Sequence, residues 1–137
     1  MTSLQSQLDE YCKAFNTRGL DAALRLFSPH ALFEMPLLGQ RLVGVAEIRA
    51  GLQRIFNVTE KAMIELSNCK EAHRAIIGEG RLQAKLHRDR SAVEMPLALV
   101  LEMNDGSISR LSLYLDARRH RLWSDGPIFA QSTSSEK

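Results

Sequence analysis

Hydrophobic residues recur every three or four positions in three segments of the first sixty residues, the spacing typical of amphipathic helices. We predict a first helix over 3–16, a second over 20–27 and a third that begins after Gly44. Gly19 is predicted to end the first helix and Ser28-Pro29 the second, because glycine and proline interrupt helices. The predicted buried faces comprise Leu4, Leu8, Tyr11, Cys12, Phe15, Leu20, Ala23, Leu24, Phe27, Val45, Ile48, Leu52, Ile55 and Phe56.

The rest of the chain alternates between apolar and polar residues or is apolar almost throughout, which is typical of strands. Glycine inside a strand often marks a bulge, so we expect the longest strand to bend at Gly78 or Gly80. Asn104-Asp105-Gly106 predicts a tight hairpin turn. The predicted strands cover 31–35, 41–42, 62–67, 72–87, 93–103 and 108–116.

Three helices are too few to cover both faces of a sheet of this size. They suffice if the sheet curves around them, which leaves a cavity between the helices and the concave face. The sequence therefore predicts an α+β fold with a curved, mostly antiparallel sheet and one domain over 1–126. The polar segment 127–137 is predicted to be a disordered tail.

Composition excludes several classes of function. The net charge of +2 is too small to predict nucleic-acid binding, and no apolar run approaches the length of a membrane helix. The first residues do not resemble a signal peptide, and two cysteines without a metal-ligand spacing fit free thiols in a reducing cytoplasm. No metal site is predicted. No cofactor is predicted either, since no glycine-rich phosphate loop is present.

Several strings, taken in order, resemble the SnoaL-like and ketosteroid-isomerase-like proteins of the nuclear transport factor 2-like superfamily. They are Gly19, the string over 31–36, Gly44 with Ile48, the string over 105–108, and Tyr114-Leu115-Asp116. The resemblance covers about 4–123. It implies a cone-shaped α+β barrel, usually a homodimer, with a pocket at its open end. It also implies isomerase, cyclase or hydrolase chemistry without a cofactor as one possible activity.

The catalytic residues of two groups of relatives do not carry over to this chain. Lining up the glycines and Pro36 places Cys12, Met35 and Leu99 at the catalytic positions of ketosteroid isomerases. A thioether cannot abstract a proton, and a leucine cannot donate to an oxyanion. Comparison with limonene epoxide hydrolases places Leu113 at a catalytic aspartate, and either Gly80 and Leu82 or Arg81 and Gln83 at the arginine and aspartate.

Glu34 is the candidate catalytic residue, because it lies in an otherwise apolar string. If it faces the pocket, burial would raise its pKa and suit it to act as a general acid or base, with Tyr11 or Tyr114 as a hydrogen-bonding helper. If Phe33 and Met35 face inward instead, alternation turns Glu34 outward. Arg81 is likewise expected on the outer face.

We therefore hypothesise that the protein binds a small, mostly apolar molecule, and that it is either a cofactor-independent enzyme or a non-catalytic binding or dimerisation module. Ala98 and Val100 are expected on the outer face of the sheet, which predicts a homodimer through that face. The predicted pocket residues are Tyr11, Cys12, Phe15, Phe27, Phe33, Met35, Leu52, Phe56, Leu82, Met95, Leu97, Leu99, Leu111, Leu113 and Tyr114.

Overall fold

The computed structural model describes residues 3–115, which form three α-helices and a six-stranded sheet. The predicted end of the last strand at Asp116, the domain boundary at 126 and the tail over 127–137 lie outside the described residues. The elements are α1 (Leu4–Asn16), α2 (Leu20–Leu24), β1 (Phe27–Met35), a short 3₁₀ helix (Pro36–Leu38), β2 (Gln40–Val43), α3 (Val45–Val58), β3 (Thr59–Ala72), β4 (Ala75–Leu86), β5 (Ala92–Asn104) and β6 (Ser107–Tyr114).

The strands lie in the order β2-β1-β6-β5-β4-β3. Neighbouring strands are antiparallel except β1 and β6, which run parallel. The three helices pack on the concave face of this curved, unclosed sheet, so the predicted α+β fold is confirmed. No helix within residues 3–115 is long and apolar enough to cross a membrane.

Side chains that alternate along the strands separate the core from the outer face of the sheet. On β5, for example, Leu99 and Leu101 are fully buried beneath the helices, whereas Val100 between them lies on the outer face and is only half-buried. Helix α1 is fixed to the sheet by Asn16, whose amide accepts from the Ile64 backbone N–H at 2.7 Å and donates to the Ile64 carbonyl at 3.0 Å. The core therefore lies between one face of each helix and the concave face.

The second helix is shorter than predicted, because β1 begins earlier. Helix α2 ends at Leu24, and Phe27 already belongs to β1, where it pairs with Ile108 of β6. Proline cannot donate to a strand ladder, and Pro29 falls where the register with β6 shifts, between Phe27 and Leu32. Pairing with a distant strand thus overrides the helical spacing of the local sequence.

The end of α1 also differs from the prediction. The residue in the left-handed region is Arg18, with φ 60°, whereas Gly19 has φ −86° and is the N-cap of α2. At the other end of α1, the Ser3 side chain accepts a hydrogen bond from the Ser6 backbone N–H at 3.0 Å. The helix therefore ends with the usual left-handed turn, but with arginine in place of glycine.

The bend predicted in the longest strand lies instead in its partner. Strand β3 extends over Thr59–Ala72, and its register with β4 shifts between Leu66 and Asn68, opposite Gly80. A Cβ at Gly80 would lie 1.9 Å from the Glu65 carbonyl oxygen, so only glycine allows the two strands to approach this closely. The predicted turn between β5 and β6 is confirmed, with φ 54° at Asp105 and 82° at Gly106.

Candidate functional site

An internal cavity of about 20 Å³ lies between the helices and the concave face of the sheet. This volume accommodates about one water molecule, far below the several hundred cubic ångströms of a typical ligand site. The polar atom of its lining belongs to Thr59, whose hydroxyl already donates to the Ile55 carbonyl at 2.7 Å. The lining residues are Phe15, Phe33, Met35, Ile55, Thr59, Ala62, Ile64, Leu82, Ala84, Leu97, Leu113 and Leu115.

The structure brings some of the predicted pocket residues to this cavity and places others elsewhere. Those that line the cavity are Phe15, Phe33, Met35, Leu82, Leu97 and Leu113. Those that are buried in the surrounding core without lining it are Tyr11, Phe27, Leu52, Phe56, Met95, Leu99 and Leu111. Cys12 is partly buried against the core. Close packing of the helices fills most of the predicted chamber with side chains.

Several lining residues were missing from the predicted pocket. Alternation along β4 already put Ala84 on the same face as Leu82, and Ile55 belonged to the predicted core stripe of α3. Ala62 and Ile64 alternate in the same way on β3. Thr59 carried no such signal, because its inward orientation depends on the contact between the end of α3 and the start of β3.

Glu34 lies on the outer face of the sheet, so the structure does not support it as an acid or base in the cavity. Its neighbours Phe33 and Met35 are buried, whereas 21% of the Glu34 side chain is exposed. The carboxylate accepts hydrogen bonds from Arg110 and Ser112, both at 2.9 Å. Side chains alternate along β1, so Glu34 faces outward because Phe33 and Met35 face inward, the second of the two orientations considered from the sequence.

Glu34 belongs to an outer polar cluster that also contains Glu102, Arg110, Ser112 and Tyr114. Arg110 lies at its centre, with Glu34 at 2.9 Å and Glu102 at 3.1 Å. Hydrogen bonding to Glu102 is the largest cause of the raised pKa of Arg110, and Tyr114 makes a smaller contribution. Tyr114 alternates with Leu113 and Leu115 of the cavity lining, so it points to the outer face, which corrects its assignment as a pocket residue. Arg110 itself was not identified from the sequence.

Arg81 also lies on the outer face, as predicted, where its side chain is half exposed. It forms ion pairs of 2.9 Å with Glu65 and with Glu94. These carboxylates raise its pKa, the hydrogen bond to Glu65 most strongly. Pairs this exposed contribute little to stability. Arg81 is therefore a surface residue that does not line the cavity.

Tyr11 is the buried polar group that has no partner. Its ring is fully buried on α1, 5.9 Å from the Phe27 ring centroid and 6.3 Å from that of Phe15. Its hydroxyl makes no hydrogen bond within the described part of the chain, although buried hydroxyls are almost always paired. Burial raises the pKa of Tyr11, so the phenol stays neutral and remains able to donate.

Cys12 occupies the next position on α1. Burial is the main cause that raises the pKa of its thiol to about 12, with smaller contributions from Asp9 and Cys69. A thiol that stays protonated is a poor nucleophile and a poor metal ligand. No group of three or more His, Cys, Asp or Glu side chains within residues 3–115 is arranged to hold a metal ion.

Three helices on a curved mixed sheet with an apolar interior define the nuclear transport factor 2-like class of α+β cone folds. A family model described as SnoaL-like domain matches residues 8–111, so the chain belongs to the SnoaL-like family. No curated protein matches the chain in sequence.

Solved structures agree with this fold. A hypothetical protein with a ketosteroid isomerase-like fold from Catenulispora acidiphila, in complex with trimethylamine, has a TM-score of 0.79 and 14% identity, covering 95% of this chain and 100% of that one. A proposed polyketide cyclase from Xanthomonas campestris pv. campestris has a TM-score of 0.78 and 17% identity over 85% of this chain and 92% of that one. An NTF2-like protein of unknown function from Burkholderia pseudomallei has a TM-score of 0.77 and 16% identity, covering 87% of this chain and 95% of that one. At these identities the likeness establishes the fold alone.

Proposed function

We propose that the protein binds a small, mostly apolar molecule between its helices and the concave face of the sheet, without acid or base catalysis by Glu34. The observation that carries this proposal is the composition of the cavity lining, which is apolar apart from one satisfied threonine hydroxyl. Such a lining favours apolar ligands, since it offers no compensation for the desolvation of a charge.

Tyr11 supports a ligand with one polar group. Its hydroxyl is neutral, buried and unpartnered among the described residues, and its ring contacts Phe15 of the cavity wall. A carbonyl or ether oxygen that reached the phenol would accept its hydrogen bond. This would replace an unsatisfied donor with a satisfied one, a gain worth about 1 kcal/mol or more. Tyr11 is therefore the proposed anchor.

The alternative of acid–base catalysis lacks a proton carrier. No aspartate, glutamate or histidine is among the lining residues, and the thiol of Cys12 is held protonated by its raised pKa. Met35 and Leu99, at the positions where ketosteroid isomerases have carboxylates, are both buried among apolar residues. General acid–base chemistry needs a titratable group within hydrogen-bond reach of the reacting atom. The binding function is therefore preferred over the cyclase or isomerase function.

Titration with two fluorescent probes of similar shape tests this proposal. The first is a naphthalene bearing a ketone, and the second is the corresponding hydrocarbon. We expect both to bind the wild-type protein and to raise its melting temperature. Tyr11→Phe should weaken ketone binding about fivefold to tenfold and leave hydrocarbon binding unchanged, because one hydrogen bond is lost.

Tyr114→Phe is the matched control, since it removes a phenol hydroxyl on the outer face. It should bind both probes as the wild type does. Failure of every apolar probe to bind or to stabilise the wild type would rule out the binding function. Equal loss in the two tyrosine variants would rule out Tyr11 as the anchor.

We also propose that the outer sheet face forms a homodimer. Val43 and Ile77 on this face are 51% and 43% exposed, and Val100, which pairs with Ile77, and nearby Ala98 are only half-buried. Apolar side chains exposed on a broad sheet face favour association with a second copy.

The unpaired cysteines Cys12 and Cys69 favour a reducing compartment, such as the cytoplasm, as the place where the protein acts.

Sedimentation at several protein concentrations tests the dimer. The wild type is expected to sediment as a dimer, and Ile77→Lys as a monomer at the same concentration. Leu37→Lys is the control, because Leu37 is 56% exposed but lies in the 3₁₀ helix rather than on the sheet. A monomeric wild type at high concentration would exclude this interface.

A further inference from the structure

The junction between the end of α1 and the end of α3 contains a side chain that neither proposal above uses. Arg18 adopts the left-handed region, with φ 60°, although it is not glycine. This backbone conformation is unfavourable for residues with a Cβ and persists where surrounding contacts impose it. The turn that ends α1 imposes it, with the Gly19 N–H bonded to the Ala14 carbonyl at 2.8 Å, and the Arg18 side chain leaves this turn to make contacts of its own.

The Arg18 guanidinium holds the C-terminal end of α3. It donates to the Phe56 carbonyl, to the Thr59 carbonyl at 2.8 Å and to the Thr59 hydroxyl at 3.5 Å. It also lies over the Phe56 ring, 4.9 Å from the centroid. The last carbonyls of a helix have no partner within the helix, and a cation at this end is favoured by the helix dipole. Arg18 thus ties two helices together at their ends.

This junction forms one wall of the cavity. Phe15 on α1, Ile55 on α3 and Thr59 at the start of β3 all line it. The other end of α3 is held separately, by Glu47 bonded to the Val43 backbone N–H and by Arg49 paired with Asp21, both at 2.8 Å. Within residues 3–115, the side-chain hydrogen bonds that join the segment after α1 to the end of α3 and the start of β3 come from Arg18.

We propose that Arg18 is a latch whose release lets the C-terminal half of α3 move away from α1 and enlarges the cavity enough to admit the ligand. This inference rests on the proposed binding function, because a cavity of about 20 Å³ must grow before a molecule larger than water can enter. The opposite wall is a sheet, which can open only if ladders of backbone hydrogen bonds break.

The chemistry of the latch makes it reversible. Within residues 3–115 the acceptors of Arg18 are carbonyls and a hydroxyl, so a guanidinium that turns toward water gives up no ion pair in this part of the chain. Water satisfies the freed carbonyls in the open state. The remaining contact, between Arg18 and the Phe56 ring, is the kind that breaks and re-forms readily at a partly exposed site.

Hydrogen exchange of the full chain tests the latch directly, with Arg18→Gly and Arg18→Met compared with wild type. Arg18→Gly removes the side chain and also relieves the left-handed strain, so it is expected to stay folded. We expect amides over 55–62 to exchange about tenfold faster, while amides of β5 and β6 are unchanged. Association of N-phenyl-1-naphthylamine, a neutral apolar probe, should become several-fold faster.

Arg49→Met is the matched control, because it removes the exposed pair with Asp21 at the other half of α3. It should leave both the exchange over 55–62 and the association rate as in wild type. Exchange that rises equally in α3, β5 and β6, or an unchanged association rate, overturns the latch. Faster exchange over 55–62 without probe binding by any variant would show that Arg18 restrains α3, but it would overturn the binding proposal and with it the role of the latch in ligand entry.

Discussion

The two faces of the sheet are built from the same strands, yet the concave face packs apolar side chains and the outer face pairs polar ones. On the concave face, Phe33 and Leu113 join an apolar core whose cavity has almost no polar atoms. On the outer face, Glu34, Ser112 and Arg110, on the same two strands as that pair, form a connected polar cluster. Adjacent residues therefore belong to chemically different environments, which is why the candidate acid is separated from the candidate pocket.

A carboxylate that lies between apolar residues in the sequence is therefore not necessarily buried in the fold. Glu34 is surrounded by apolar neighbours in the sequence but by a guanidinium and a hydroxyl in space. The group that is buried without a partner within residues 3–115 is a phenol, Tyr11, on a helix rather than on a strand. Substitutions on the two faces are therefore expected to differ in how much they lower the free energy of unfolding and in the interaction that each removes.

Gly80→Ala is expected to have the largest effect on stability, because it disrupts the close approach of β3 to β4 at the register shift. The added Cβ would lie 1.9 Å from the Glu65 carbonyl oxygen, so the bulge in β3 must shift. That shift would displace side chains on both faces of the sheet. We expect a loss of roughly 3 to 5 kcal/mol in the free energy of unfolding, measured with urea. Gly19→Ala is the control, since its nearest neighbour would lie at 3.5 Å. A small loss for Gly80→Ala would contradict the close approach of the strands.

The pair Leu99→Ala and Val100→Ala compares the faces at consecutive residues. Leu99 is fully buried, so its truncation should cost about 2 to 5 kcal/mol of unfolding free energy. Val100 is half-buried on the outer face, and its truncation in the monomer should cost less than about 1 kcal/mol. Equal losses in a monomeric background would mean that the outer face is packed as tightly as the core.

Arg110→Met tests whether the outer cluster contributes to stability. The variant leaves the Glu34 and Glu102 carboxylates without the cation between them, so we expect a loss of about 1 to 2 kcal/mol in denaturant unfolding. Arg81→Met removes an arginine that also joins two carboxylates but is half exposed, and it should leave stability unchanged. Similar losses in both variants would show that burial of Arg110 is unimportant.

The smallest effect concerns the pH dependence of stability. The pKa of Cys12 is raised to about 12 in the folded protein, from about 8.5 in an unfolded chain. Above pH 8.5 the unfolded state therefore releases a proton that the folded state keeps, and stability falls as pH rises toward 12. Cys12→Ala should lose less stability than wild type between pH 7.5 and 9.5, as measured by urea midpoints. Identical slopes would contradict the burial of this thiol.

Much of the fold follows from patterns that are local in the sequence. Helical spacing predicted α1 nearly to both ends and the start of α3 after Gly44, and the turn at Asp105 and Gly106 was predicted from three residues. Errors occurred where distant segments decide the outcome. Phe27 has helical spacing, but it joins β1 because Ile108 pairs with it. The bend predicted at Gly78 or Gly80 of β4 lies in β3, because Gly80 leaves space for the neighbouring strand.

Periodicity along single strands and helices was enough to predict the class of fold, the apolar character of the interior and the alternation that divides inward from outward residues. Three features could not be predicted in this way: the size of the cavity, the isolation of the Tyr11 hydroxyl among the described residues and the contact of Arg18 with α3. These depend on how closely helices approach the sheet and on which side chains from distant segments meet. Packing between elements, rather than the pattern within them, therefore sets the candidate site.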